Sequence, residues 1–293
     1  MRRRILIIVN PEAGRPRSAE RRLRRFVTAL ERQGCSAVVR RAGPRLGDAE
    51  RLAREAEADF DAIVAGGGDG TIHAVVNGLM GRPIPFGVLP FGTANVLARE
   101  IGLPRRPERL AALIAAAPAR PIWPGRVNGR AFVMMASAGF DSEIVVSIND
   151  ALKRRAGRLA FAWAALVQLC GYRPCELTVR ADGIEHRAAA MIAAKGRYYA
   201  GPFVVAPDAN LGEPTLELVL FRQAGRLAIL RYALGLFLGV LPRLHDVMIL
   251  RAREVAVASD RALPVQGDGE IVGHLPVTIR IGHDPVLLIS PAA

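Results

Sequence analysis

A chain of 293 residues, 51% of them hydrophobic, is long enough for two medium domains and too apolar to be disordered. Its two long charge-free helical runs, Leu159–Tyr172 and Tyr232–Pro242, fall short of the roughly 18 apolar residues that a membrane-spanning helix needs. The net charge of +13 suits an anionic membrane, or reflects an arginine-rich composition; with aromatics at 5% and no basic-aromatic interleaving, nucleic acid is not expected as a partner.

The opening Met1-Arg2-Arg3-Arg4 followed by Ile5–Val9 mimics a secretory leader, but the apolar stretch stops at Asn10-Pro11. Ile5–Val9 is therefore read as a buried parallel strand. Ser18 can cap a helix carrying Leu23, Phe26, Val27 and Leu30 on one face, with Gly34 ending it. Ser36–Arg40 reads as the second strand, Asp48–Ala58 as the second helix and Ala62–Ala65 as the third strand. A glycine-rich turn and a helix over Thr71–Leu79 follow, then strand Phe86–Leu89 and helices near Ala94–Ile101 and Pro107–Ala117. Strands separated by helices of this length predict a parallel sheet covered on both faces.

After Pro121 short strand-like runs dominate: Ala131–Met135, Leu177–Ala181, Ala188–Ala193, Leu216–Leu220, Val247–Ile249, Val255–Ala258, Val277–Ile281 and Val286–Ile289. They predict a mostly antiparallel β domain. Two apolar helical stretches interrupt them, Leu159–Leu169 (with Phe161 and Trp163) and Leu227–Leu238. The second lies within Arg222–His245, where Leu227, Leu230, Leu234 and Leu238 alternate with Arg222, Arg226, Arg231 and Arg243. It is read either as packing on its own sheet or as lying on lipid, the first being the commoner arrangement. Cys35, Cys170 and Cys175 have no metal spacing, and an odd number fits a reduced, cytoplasmic protein.

The strongest local signal is Ala65-Gly66-Gly67-Gly68-Asp69-Gly70-Thr71, between a strand and a helix. Glycines let the backbone approach a ligand, and the N–H groups opening the helix favour an anion such as phosphate. Asp69 would repel bare phosphate, so it is expected to hold magnesium. The segment lacks the lysine of a Walker A loop and is not a dinucleotide fingerprint. Two more turns, Asn10-Pro11-Glu12-Ala13-Gly14 and Pro90-Phe91-Gly92-Thr93-Ala94-Asn95, follow strands that should end at the same sheet edge. Together they make a phosphate cradle. Asp268-Gly269 reads as a hairpin turn, well placed to present a carboxylate, and Asp141 as a cap, a turn or a cleft residue.

With Ser137-Ala138-Gly139-Phe140-Asp141, Ala206-Pro207-Asp208-Ala209 and Gln266-Gly267-Asp268-Gly269-Glu270, these segments resemble the diacylglycerol kinase catalytic-domain family, which includes bacterial lipid kinases and the sphingosine and ceramide kinases. The resemblance implies an N-terminal three-layer α/β nucleotide-binding domain with a parallel sheet over residues 1–122, completed by a C-terminal strand at about 283–293. An antiparallel β-sandwich for the lipid would span 123–282, with a cleft between the two. It further implies that Asn10, Gly14, Gly66, Gly67, Gly68, Asp69, Gly70, Thr71 and Thr93 hold ATP with Mg2+. Asp268 would be the general base, assisted by Glu270.

The acceptor implied is a lipid hydroxyl at an anionic membrane surface, diacylglycerol by default and ceramide or another sphingoid lipid as the alternative. The protein would sit peripherally on the inner face of the membrane, and homodimerisation is left open. A non-catalytic nucleotide- or lipid-binding regulator is the alternative from another class. The sequence departs from the family at His73-Ala74, Asn95-Val96 and Trp123, and Glu213-Pro214 stands where an Asp-Gly pair helps bind a structural magnesium. Glu213 is the metal ligand that this alignment offers, in an acidic network thinned by the other changes.

Overall fold

The computed structural model describes residues 2–14, 16–43, 45, 47–147, 169 and 171–291. It divides into two compact units, Met1–Ile122 with Asp284–Ala293, and Trp123–His283. Of the expected helix Leu159–Leu169, all but Leu169 lies outside the described residues, as does Cys170.

The first unit is a six-stranded sheet in the order β2-β1-β3-β4-β20-β5. Strands β1 (Arg4–Val9), β2 (Ser36–Arg41), β3 (Ala62–Gly67), β4 (Phe86–Pro90) and β20 (Val286–Ile289) run parallel to their neighbours, and β5 (Ala119–Ile122) pairs antiparallel with β20. Side chains alternate across a strand, so Ile5, Ile7 and Val9 all face Leu23, Phe26 and Leu30 of α1 (Pro16–Glu31) and Leu110 and Ile114 of α5 (Pro107–Ala116). Helices α2 (Asp48–Arg54) and α3 (Asp69–Leu79) pack on each other and against β1 and β3.

Among the boundaries that differ from expectation, two have visible reasons. Helix α1 begins at Pro16, ahead of Ser18, because proline is pre-set for the first helical position and has no N–H to leave unsatisfied. Helix α2 stops at Arg54, since the Arg82 guanidinium donates to the carbonyls of Ala53, Arg54 and Ala56 at the point where the helix would continue.

The second unit is an antiparallel sandwich that includes β6 (Gly125–Val127), β10 (Ile184–Ala188), β11 (Ala190–Ala194) and β15 (Val247–Ala252), with sheets ordered β10-β9-β16-β19-β6-β7 and β15-β14-β11-β8-β17-β18. Its core interleaves Leu177 and Val179 of β9 (Leu177–Ala181), Val255 and Val257 of β16 (Glu254–Ser259) and Ile279 of β19 (Val277–Ile281) with Leu216, Leu218 and Leu220 of β14 (Leu216–Phe221) and Val265 of β17 (Pro264–Gly267). Each fully buried side chain of this size contributes about 1.5–3 kcal/mol. On the outer side of the second sheet, Ala228 and Tyr232 of α7 (Arg226–Phe237) pack against Val219 and Phe221.

The expected strand Ala131–Met135 is two strands, β7 (Arg130–Phe132) and β8 (Met135–Ala138). The amides of Val133 and Met134 between them donate to the carboxylate of Asp268.

Candidate active site

In the first unit the three turns meet at one edge. Adjacent parallel strands β1, β3 and β4 end together, Val9 paired with Gly66, Gly66 with Leu89 and Gly67 with Pro90. Backbone hydrogen bonds carry the association past the strands: Asn10 N donates to Gly66 O at 2.9 Å, and Phe91 N to Gly67 O at 2.8 Å. The glycines are needed for the closeness of these passes. Gly14 sits at φ +71°, where a Cβ would run into the Phe91 carbonyl oxygen. A Cβ on Gly92 would lie 2.7 Å from Gly68 Cα.

Helix α3 opens from this edge. Its first backbone bonds reach back to Gly68 O from Thr71 N (3.0 Å) and Ile72 N (3.2 Å), so the amides of Asp69 and Gly70 precede the intrahelical ladder. The Asp69 carboxylate accepts from Val96 N at 2.7 Å, tying α3 to α4 (Val96–Glu100). Asn10 Oδ1 accepts from Glu12 N at 2.9 Å and shapes its own loop, while Thr93 is exposed at the tip of the third turn. All the residues expected to hold ATP thus come from three neighbouring loops of this unit.

Asn95 adds a feature that the sequence reading did not use. It adopts φ +48°, donates from Nδ2 to Gly92 O at 2.6 Å, and leaves Oδ1 buried with no hydrogen-bond partner among the described residues. An enclosed acceptor of this kind is completed by a donor on a ligand or a water. Its only sequence signal is an Asn next to a Gly-Thr turn.

Asp268 and Glu270 lie in the second unit, Asp268 on the two-residue turn between β17 and β18 (Glu270–His274) and Glu270 at the start of β18, paired with Gly267. Asp268 and Gly269 both have positive φ, +52° and +87°, as an Asp-Gly hairpin turn requires. The Asp268 carboxylate is gripped by three consecutive amides, from Val133 N (2.6 Å), Met134 N (2.8 Å) and Met135 N (3.1 Å). A second set of bonds fixes the same turn. Gly269 N donates to Gln266 Oε1 at 2.8 Å, Gln266 Nε2 donates to Ser137 Oγ at 2.6 Å, and Ser137 Oγ donates to Asp141.

Burial pushes the Asp141 carboxyl up to about 6, against the opposing pull of the hydrogen bonds it accepts, that from Ser137 first. Ser137 and Gln266 are buried, so the turn is held from inside the sandwich. The half-buried Glu270 carboxylate makes no hydrogen bond or ion pair with any described residue.

The expected structural magnesium at Glu213 does not fit this chain. Lys195, fully buried, directs its ammonium at the carbonyls of Asn210 (2.9 Å), Glu213 and Thr215 (2.8 Å). Three N–H donors meet three carbonyls, and a divalent ion at the same oxygens would face a cation. Burial lowers the Lys195 ammonium to about 8, with the Glu213 charge acting in the opposite direction. The Glu213 carboxylate itself accepts from Asn210 Nδ2 at 3.1 Å and pairs with Arg251 at 3.4 Å. A lysine in a chain otherwise rich in arginine was the signal available in the sequence.

A magnesium ion accompanying the nucleotide would be a different case. Magnesium is commonly held by one or two carboxylates together with substrate phosphates. Asp69, at the head of a helix that favours phosphate, is a donor set of that kind.

Comparison with known proteins agrees with this geometry. Residues 4–127 match the family model described as the diacylglycerol kinase catalytic domain, and residues 134–289 match that of the YegS C-terminal NAD kinase beta sandwich-like domain. The chain belongs to the diacylglycerol kinase family of ATP-dependent lipid kinases. It is 32% identical to a diacylglycerol kinase of Bacillus subtilis (strain 168), over 94% of this chain and 92% of that one. It is 33% identical to a Chromohalobacter salexigens protein named "probable lipid kinase YegS-like", over 78% of this chain and 76% of the other. The crystal structure of a diacylglycerol kinase from Bacillus anthracis str. Sterne shares the fold with a TM-score of 0.75 at 20% identity, covering 99% of this chain and 97% of that one.

Proposed function

We propose that this kinase transfers the γ-phosphoryl group of ATP to the free hydroxyl of diacylglycerol, giving phosphatidic acid at the inner face of an anionic membrane. The observation that carries the reading is the convergence of three glycine-bearing loops on the opening amides of α3, with Asp69 beside them. That edge suits a polyphosphate, and Asp69 suits the magnesium that accompanies it. When bound, magnesium supplies charge neutralisation to the phosphates. Diacylglycerol is favoured over other lipid alcohols because it is named for a relative matched along nearly the whole chain.

The protein's own contribution is positioning. Phosphoryl transfer needs little covalent help, so loops that fix the phosphates and a carboxylate that accepts the hydroxyl proton suffice. We assign the proton to Asp268, whose orientation is set by the amides of Val133, Met134 and Met135, with Glu270 as the neighbouring carboxylate.

The test is transfer from radiolabelled ATP to diacylglycerol, ceramide, sphingosine, phosphatidylglycerol and NAD, resolved by chromatography. Labelled phosphatidic acid supports the proposal. Label on ceramide or sphingosine alone would reassign the acceptor, and ATP binding without transfer to any lipid would make the chain a regulator.

A further inference from the structure

Five of the nine exposed large hydrophobic side chains among the described residues sit on α7 and the residue after it. Leu227 is 84% exposed, Phe237 71%, Leu238 60%, Leu234 58% and Leu230 51%. At about 3.6 residues per turn, these positions fall within an arc of roughly 100° on one side of the helix. The opposite side is the one that packs, through Ala228, Tyr232 and Gly235. The helix is therefore anchored to its sheet and still presents a largely uncovered apolar ridge.

The surroundings say what covers it. Arg226 and Arg231 fall on either edge of the ridge, with Arg222 and Arg243 exposed just before and after the helix. No Asp or Glu occurs between Arg222 and His245. The next acid, Asp246, is buried and bonded to Arg231 and Tyr232, so it offers no exposed carboxylate. An apolar stripe rimmed by cations, with no exposed acid in its own segment, matches the boundary between anionic headgroups and acyl chains. A second copy of the chain fits poorly, because pairing like faces would bring two sets of arginines together. Nucleic acid fits poorly too, because a ridge of four leucines and one phenylalanine offers it no hydrogen bonds and a single ring in place of a row of stacking platforms.

We propose that α7 is the membrane-docking element of this protein, its Leu227–Leu238 ridge inserting among acyl chains while Arg222, Arg226 and Arg243 engage anionic headgroups. The assignment rests on the lipid-kinase reading for its biological sense, but its physical basis is the helix alone. Docking by this face would bring the enzyme to a lipid at the membrane surface.

The full chain, without ATP, is mixed with vesicles of phosphatidylcholine alone or with phosphatidylglycerol and sedimented. The wild type is expected to bind the anionic vesicles and to be released by salt. Leu227→Gln/Leu234→Gln/Phe237→Gln should weaken that binding by at least about tenfold with little change in melting temperature, since the replaced side chains are mostly exposed and Phe237 meets the Phe203 ring only at its flank. Arg222→Gln/Arg226→Gln/Arg243→Gln should remove the preference for phosphatidylglycerol.

Equal vesicle binding by the apolar variant overturns the proposal. So does a wild-type dimer in sedimentation equilibrium that the apolar variant renders monomeric, because the ridge would then be a subunit interface. Vesicle binding without phosphoryl transfer to any lipid contradicts the kinase reading and leaves the docking face standing. Transfer in detergent micelles, with vesicle binding unaffected in the apolar variant, does the reverse.

Discussion

Asp268 and Met135 exchange hydrogen bonds: Asp268 N donates to Met135 O at 2.9 Å, and Met135 N donates to the Asp268 carboxylate at 3.1 Å. The pair locks the β17–β18 turn to the start of β8, and Val133 and Met134 complete the grip. Asp268→Asn would turn an N–H toward a backbone N–H, so it should cost about 1–3 kcal/mol of stability as well as activity. Loss of turnover in that variant is therefore not diagnostic by itself. Glu270→Gln, altering a carboxylate with no described partner, should keep the melting temperature and reduce kcat. Paired thermal melts and kinetics of the two variants check this; a stable Asp268→Asn would contradict the grip.

Close packing of the loops predicts a sharp penalty at the glycines. Gly14→Ala places a methyl against the Phe91 carbonyl in a positive-φ conformation, and Gly92→Ala crowds Gly68. Each should weaken ATP binding by at least about tenfold, equivalent to about 1.4 kcal/mol. Gly81→Ala, where a Cβ meets nothing within 4 Å despite φ +76°, is the control for backbone strain alone. Calorimetric titration with ATP distinguishes the two effects.

The Asp141 carboxyl introduces a pH dependence. Its folded value, about 6, lies above its ordinary value of 3.8. Stability from its protonated form is fully present below about 3.8 and lost as pH rises through about 6, a change of about 3 kcal/mol at most. Asp141→Asn should be free of this component. The stability difference between wild type and Asp141→Asn, measured by urea unfolding, is thus expected to shift in favour of the variant between pH 4 and pH 7.

Lys195 makes a further prediction about metal. If its ammonium organises the carbonyls of Asn210, Glu213 and Thr215, chelation of divalent ions should leave the melting temperature of the nucleotide-free protein unchanged. Lys195→Met keeps the buried stem and strands the three carbonyls, and should cost about 3–5 kcal/mol. A melting temperature that falls on chelation would show a metal that this geometry does not accommodate.

The parallel sheet was legible because buried strands such as Ile5–Val9 and Phe86–Leu89 are short apolar runs between helical periods. Leu177–Ala181, Val277–Ile281 and Val286–Ile289 matched their observed strands residue for residue. What failed was decided by distant partners. The break between β7 and β8 depends on Asp268, more than a hundred residues away, and no local pattern encodes it. Short strands β12 (Tyr198–Tyr199) and β13 (Phe203–Val204) carry too few residues for a period to show.

The same division holds at the site. The glycine turns announce themselves in composition, because only glycine tolerates such close passes. The bonding of Lys195 to the Glu213 loop is a three-dimensional meeting of one side chain with three carbonyls 15 to 20 residues further on.

Phosphoryl transfer to a lipid hydroxyl is tested by following radiolabel from ATP in the presence of magnesium and diacylglycerol. Labelled phosphatidic acid is expected from the wild type, with a severe loss of it in Asp69→Ala and with NAD unlabelled. Label appearing on NAD, or ATP bound tightly while every lipid stays unlabelled, would contradict it.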